Sequence, residues 1–241
     1  MCIRHIAYKE TLDRGYASEW NDDHTLDYSN CIVHQGLFIG PALGAEWDFT
    51  ETAGGSNPTW TLVGAAGSGH AYVVLNTGGV TGQTSVMKQE LQGAASNITS
   101  IADYPMWTMT VQIAAVHTAG LVAEFGFFDN GVNIFTGNQD GAYFRVLANV
   151  LYAVTGTGAA ETTTNLGAFS EYEVYKIRMT SVGAVNTVYF YVDDMQSPVA
   201  THTTNLPDSN LTVKVGVQSQ NNVDSTLRVD SYGLMRLRKS S

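Results

Sequence analysis

Glu46, Asp48 and Glu51 form the run Glu-x-Asp-x-x-Glu, the first grouping in this chain whose residue types and spacing suit chemistry. Retaining glycoside hydrolysis uses two carboxyl groups about 5–5.5 Å apart, and one bulged strand can present such a pair. A plainer reading is a strand whose Trp47 and Phe49 face a core while the carboxylates stay in water. Short motifs recur readily, so the plain strand is the expectation, with no catalytic residues. Asp22, Asp23 and His24 are metal-ligand types, but three adjacent residues rarely converge on one ion; a turn and capping cluster is expected there. Asp193-Asp194 and Asp129-Asn130 carry hard oxygens that suit Ca²⁺, which wants six or more of them. No second acidic loop stands in clear register, so hairpin turns are expected, with no metal and no cofactor. There is no G-x-S-x-G elbow, no P-loop and no H-E-x-x-H.

A broader grouping is aromatic and polar. Tyr143, Arg145, Tyr189, Tyr191, Lys214, Gln218 and Arg228 all fall at the wet positions of alternating strands. On one concave sheet, rings that stack on pyranoses beside amide and guanidinium groups that read hydroxyls would bind a glycan. Ordinary cross-strand Tyr–Lys pairing is the competing account.

Long strands must position these residues. Between Asn186 and Asp193, Val188, Phe190 and Val192 share one face and Thr187, Tyr189, Tyr191 and Asp193 the other. The same period of two runs through Tyr175–Met179, Leu211–Gln218, Thr226–Arg238 and Met106–Val116. Shorter strands are expected at 46–51, 60–63, 71–76, 84–91, 121–128, 132–135, 142–147, 150–154 and 162–166, separated by Gly- and Asn-rich turns. No stretch reads as a long amphipathic helix. An all-β antiparallel two-sheet sandwich follows. Residues 1–44 lack sustained alternation and are rich in charge and His. They read as an arm preceding a domain over 45–241, with Tyr16, Trp20 and Tyr28 as apolar anchors that must pack on the domain, a sister subunit or a partner.

Composition narrows the function. The chain has 241 residues, 14% of them charged, and a formal net charge of −10. Nucleic acid needs a basic patch and is excluded as a partner on that ground. No apolar run approaches the ~20 residues of a membrane span, and no apolar leader follows Met1, so no membrane partner and a cytoplasmic origin are expected. Cys2 and Cys31 read as free thiols, with a bridge left open.

Two resemblances add to this. From Glu46 to Lys239 the order of strands resembles a concanavalin A-like lectin/glucanase jelly roll. Ala142–Leu147, a Thr-rich strand, Tyr175-Lys176-Ile177-Arg178, Val188–Asp193, Val199-Ala200-Thr201-His202, Asn205-Leu206-Pro207 and Leu227-Arg228-Val229-Asp230 carry the likeness. The strand ending Val192-Asp193-Asp194, the Thr201–Pro207 link and the last strand resemble the version found in bacteriophage structural proteins. In the arm, Ala17-Ser18-Glu19-Trp20-Asn21-Asp22-Asp23-His24-Thr25 is similar to the WNxxH segment near the start of domains in phage tail and virion proteins. Together they imply a non-enzymatic virion protein, such as a capsid decoration, head-fibre or tail-associated protein, made in a host cytoplasm. Its partners would be other capsid or tail proteins and copies of itself, a trimer among the candidates. Trp20, Asn21 and His24 would anchor it, supported by Tyr16 and Tyr28. The fold also hosts lectins and glycosidases, so a glycan-binding module is the alternative. The Glu46–Glu51 run resembles the catalytic strand of family 16 glycoside hydrolases, with Thr50 standing where that family has an apolar residue; a hydrolase is the third reading.

Overall fold

The computed structural model describes residues 31–37, 47–52, 59–64, 71–89, 106–117, 122–129, 134–170, 173–182, 185–194 and 196–237, with side chains placed over 72–88, 122–129, 134–170, 173–180, 185–194 and 196–229. Every described element is a β-strand. They are β1 (Cys31–Leu37), β2 (Trp47–Thr52), β3 (Thr59–Gly64), β4 (Ala71–Asn76), β5 (Thr84–Gln89), β6 (Met106–His117), β7 (Val122–Asp129) and β8 (Asp140–Leu147). After them come β9 (Val150–Thr157), β10 (Glu161–Ala168), β11 (Val174–Val182), β12 (Val185–Val192), β13 (Ala200–His202), β14 (Leu211–Gln218) and β15 (Thr226–Leu237).

Two antiparallel sheets form a sandwich. One runs β10-β9-β8-β7-β14-β5-β2; the other, of eight strands, runs β13-β12-β11-β6-β15-β4-β3, with β1 also paired to β15. The period of two explains the layering. Phe125, Phe127, Phe144, Val213 and Val215 from the seven-stranded sheet meet Tyr175, Ile177, Phe190, Leu227 and Val229 from the other in one buried core. Aromatic rings lock the centre: Phe144 lies 5.4 Å from Phe125 and 5.3 Å from Phe190.

Two expectations need correcting. Cys31–Leu37, assigned to the arm, is β1, and it pairs with β15 from Cys31↔Leu237 to Leu37↔Ser231. The sheet therefore begins before residue 45, and Cys31 is part of a strand. Ile134 and Phe135, assigned to a strand, instead form a turn, with Phe135 left-handed at φ 72°.

The margins of the two sheets are sewn together by hydroxyls around one histidine. His202 on β13 is 3% exposed. Its Nδ1 bonds Thr155 Oγ1 at 3.0 Å and its Nε2 bonds Thr164 Oγ1 at 2.9 Å. Thr155 Oγ1 also donates to the Thr204 carbonyl, and Thr162 Oγ1 meets Thr204 Oγ1. Burial lowers the pKa of His202. A neutral imidazole bridging two hydroxyls fits that site. This seam holds β10, the edge strand of the seven-stranded sheet, against β13.

Candidate functional site: the outer face of the seven-stranded sheet

The strands that bury one face of the seven-stranded sheet present the other outward. Register aligns Gly216, Glu124, Arg145, Tyr152 and Asn165 in one row across β14, β7, β8, β9 and β10. The next row is Lys88, Lys214, Gly126, Tyr143, Val154 and Thr163.

A turn of the chain lies over the middle of this face. Ile134 is buried there with Phe128, Tyr143 and Val154, and Phe135, Val86 and Tyr152 pack around them. Gly216 makes the approach feasible. A Cβ at that position would run into Ile134 Cδ1 and stand 2.9 Å from Val86 Cγ2.

Beneath the turn sits Glu124, 2% exposed in a strand that is otherwise apolar up to its last residue, Asp129. An ionised carboxylate there needs donors, and three converge. The Phe135 N–H donates to Oε2 at 2.9 Å, Gln139 Nε2 to Oε2 at 2.6 Å and Arg145 Nε to Oε1 at 2.8 Å. Arg145 turns its fork to Glu161 on β10. Nη1 donates to Oε2 and Nη2 to Oε1, each at 2.9 Å. Tyr143 OH donates to Glu161 Oε1 at 2.7 Å and accepts from Arg145 Nη2 at 2.8 Å. Burial raises the pKa of Glu161, but the hydrogen bonds from Arg145 and Tyr143, the Arg145 charge and a backbone hydrogen bond from Gln139 together leave that pKa lowered. Burial lowers the pKa of Arg145, and the Glu161 hydrogen bonds and Glu124 charge reverse that shift. Burial first, then the Glu124 charge, raises the pKa of Tyr143, so its phenol stays protonated. The cluster therefore carries two carboxylates against one guanidinium. The side chains of Arg145 and Glu161 keep 19% and 14% exposure at its rim.

At the far end of the face, Lys214 is 4% exposed and donates to the Asp129 carbonyl at 2.7 Å. Burial and the neighbouring charge of Lys88 push its pKa down to about 8.

The seven residues grouped as a glycan face do not share one surface. Tyr143, Arg145, Lys214 and Gln218 lie on the outer face of the seven-stranded sheet. Tyr189, Tyr191 and Arg228 lie on the outer face of the other sheet, across the core. There Lys176 Nζ stands 5.1 Å over the Tyr191 ring and Arg228 stands 5.5 Å over Tyr72, which is the cross-strand pairing of the plainer account. Tyr143 and Lys214 are buried and spent internally, so Arg145 and Gln218 are the members with partial exposure on the candidate face. Glu124, Gln139, Tyr152 and Glu161 went unmarked in the sequence. A lone Glu in Val-Ala-Glu-Phe-Gly-Phe-Phe and a lone Arg in Ala-Tyr-Phe-Arg-Val-Leu were the available signals, since each buried charge wants the other.

Asp193 and Asp194 cap turns: their Oδ1 atoms accept from Val174 N at 2.7 Å and Gln196 N at 2.9 Å. Among the described residues no three His, Cys, Asp or Glu side chains gather as a metal site. The β2–β5 pairing runs in unbroken register from Trp47 to Thr52, so the bulge that a paired-carboxylate strand calls for is missing from that span. Glu46, Asp22, Asp23 and the anchors Tyr16, Trp20, Asn21, His24 and Tyr28 lie outside the described residues, as do Cys2 and Asn130.

This arrangement of strands has solved counterparts. The carbohydrate recognition domain of Emp47p matches with a TM-score of 0.56 at 13% identity, over 89% of this chain and 100% of that one. Peanut lectin with a 9mer peptide matches at 0.55 and 9% identity, over 88% and 99%. A protein of unknown function from Shewanella oneidensis MR-1 matches at 0.54 and 12% identity, over 93% and 95%. The fold is the concanavalin A-like sandwich. No family model and no curated protein sequence matches the chain. At such identities the likeness carries the fold alone, so function must be argued from the site.

Proposed function

We propose that this chain is a non-catalytic carbohydrate-binding module whose ligand lies along Arg145, Tyr152 and Asn165 on the outer face of the seven-stranded sheet. The observation that carries the reading is their register across three adjacent strands. It places a guanidinium, a partly exposed ring and an exposed amide at intervals of about 4.8 Å, a row about the length of a disaccharide. The ring supplies a stacking surface, and the amide, the remaining Arg145 N–H and the exposed Thr163 hydroxyl read sugar hydroxyls. The turn at 134–139 and the network beneath it hold this row rigid. Hydrolysis along this row is disfavoured, because a retaining mechanism needs one carboxyl kept protonated, whereas Glu161, despite its burial, has its pKa lowered by the hydrogen bonds it accepts and by the Arg145 charge.

A glycan array with the wild-type chain and Tyr152→Ala tests this. Binding that falls at least about fivefold in the variant, with its melting transition intact, supports the module. A blank array at high protein concentration, or hits that Tyr152→Ala leaves untouched, rejects it.

The virion role is a separate proposal that rests on the sequence resemblance of the arm. Because β1 begins at Cys31, removing residues 1–30 is the clean cut, whereas removing 1–44 would also delete a sheet strand. A truncated chain that still joins a particle rejects attachment through Trp20, Asn21 and His24.

A further inference from the structure

The fork of Arg145 decides which saccharides can use the row. A guanidinium grips an acidic ligand through two parallel N–H groups aimed at two oxygens. Here both groups already meet the two oxygens of Glu161 at 2.9 Å. Nε is taken by Glu124 at 2.8 Å, and Nη2 also serves Tyr143 OH at 2.8 Å. One Nη1 hydrogen is left over, enough for a hydroxyl and too little for a bidentate grip.

Charge points the same way. Glu124 and Glu161 against Arg145 leave the cluster with a net −1. The cations on this face stand away from the row or are committed: Lys214 is buried on the Asp129 carbonyl, with Lys88 beside it on β5. The chain as a whole carries −10.

We infer that the row selects neutral and amino-bearing saccharides and excludes uronic, sialylated and sulfated ones. This rests on the reading that the ligand lies along Arg145, Tyr152 and Asn165. Glu161 is the specificity-determining residue. It acts by occupying the fork and by its charge, since its own oxygens are filled by Arg145 and Tyr143. A ligand anion roughly 6 Å from the cluster would bind about tenfold more weakly than a neutral sugar of the same size.

The test is the array divided by charge: neutral gluco-, manno- and galacto-oligosaccharides, glucosamine oligomers, and uronic, sialylated and sulfated oligosaccharides. The full chain and its Glu161→Gln and Tyr152→Ala variants are applied at low salt. Expected hits are neutral and glucosamine members, with acidic members rising roughly threefold to tenfold relative to neutral ones in Glu161→Gln. Wild-type hits led by acidic members and lost in Tyr152→Ala overturn the charge selection while leaving the site reading intact. A blank array overturns the site reading itself. Should Glu161→Gln fail to fold, the wild-type salt series decides. Glucosamine oligomers must lose affinity as salt rises to about 0.3 M while neutral ones hold. Equal salt dependence for both overturns the inference.

Discussion

Replacing Glu124 with Ala should be among the most damaging single changes in the seven-stranded sheet. The substitution strips the acceptor from three donors: the Phe135 N–H at 2.9 Å, the Gln139 amide at 2.6 Å and Arg145 Nε at 2.8 Å. A buried donor left without a partner costs about 1–3 kcal/mol, and a buried ion pair broken on one side about 3–5 kcal/mol. Arg145 keeps Glu161, and the turn at 134–139 can relax toward water. The net expectation is therefore about 3–5 kcal/mol, a large share of the roughly 5–15 kcal/mol that holds a domain folded. Glu124→Gln keeps the shape but turns an NH₂ toward a donor, so about half that loss is expected. Urea denaturation measures both, as a drop in midpoint at constant slope. A cycle of Glu124→Ala with Arg145→Ala should show coupling of about 1–3 kcal/mol. A Glu124→Ala loss below about 1 kcal/mol, or no coupling, refutes the buried network as the clamp on the turn.

Other outcomes follow from the same structure. Gly216→Ala, which stabilises an open strand by about 0.5–1 kcal/mol, should here cost about 1–3 kcal/mol, because the new methyl meets Ile134 and Val86; a stabilised variant contradicts the covered face. His202 has a lowered folded pKa, so its contribution is complete above the unfolded value near 6.5 and is lost as pH falls through the folded value. The stability gap between wild type and His202→Gln should narrow as denaturation is repeated from about pH 7.5 toward pH 5, and a constant gap contradicts the seam. The shift at Asp140 has the opposite sign, since burial, with the like charge of Asp208 beside it, raises its pKa to about 6. The stability it gives is present below 3.8 and lost as pH rises through about 6, so Asp140→Asn should be the more stable protein at neutral pH and equal to wild type near pH 4. Lys214 titrates at about 8 rather than 10.5, a gap on the order of 3 kcal/mol. Lys214→Met should raise the midpoint at pH 7, and the advantage should shrink as the pH climbs through about 8 toward 10.

Sheet class and strand positions were readable in the sequence because burial on one face forces the period of two. Leu211–Gln218 and Ala71–Asn76 are found at their expected bounds, and β6 and β15 end within a residue of theirs. β1 escaped because Cys-Ile-Val-His-Gln-Gly-Leu has no regular alternation. Its strand identity comes from pairing with β15, some two hundred positions away. Ile134 and Phe135 read as strand because they are apolar and follow a turn. They are apolar because they cover the outer face, a use of hydrophobic side chains that periodicity cannot separate from core. The site was illegible for a related reason. Alternation says which residues of one strand share a face and says nothing about which strands share a sheet. Tyr143 and Tyr189 both sit at wet positions, yet β8 and β12 belong to opposite layers. Glu124, Arg145 and Glu161 span 37 positions, and only the register of β7, β8 and the β9–β10 hairpin joins them.

A saccharide lying on the ring of Tyr152 can be observed residue by residue. The direct measurement is a titration of the best array hit into the wild-type chain and Tyr152→Ala, followed by the NMR shifts of the β9 and β10 amides. Saturable shifts centred on Tyr152, Thr163 and Asn165, abolished in the variant, are predicted. Shifts confined to the Tyr189–Tyr191 side of the sandwich, or unchanged by the variant, would contradict the account.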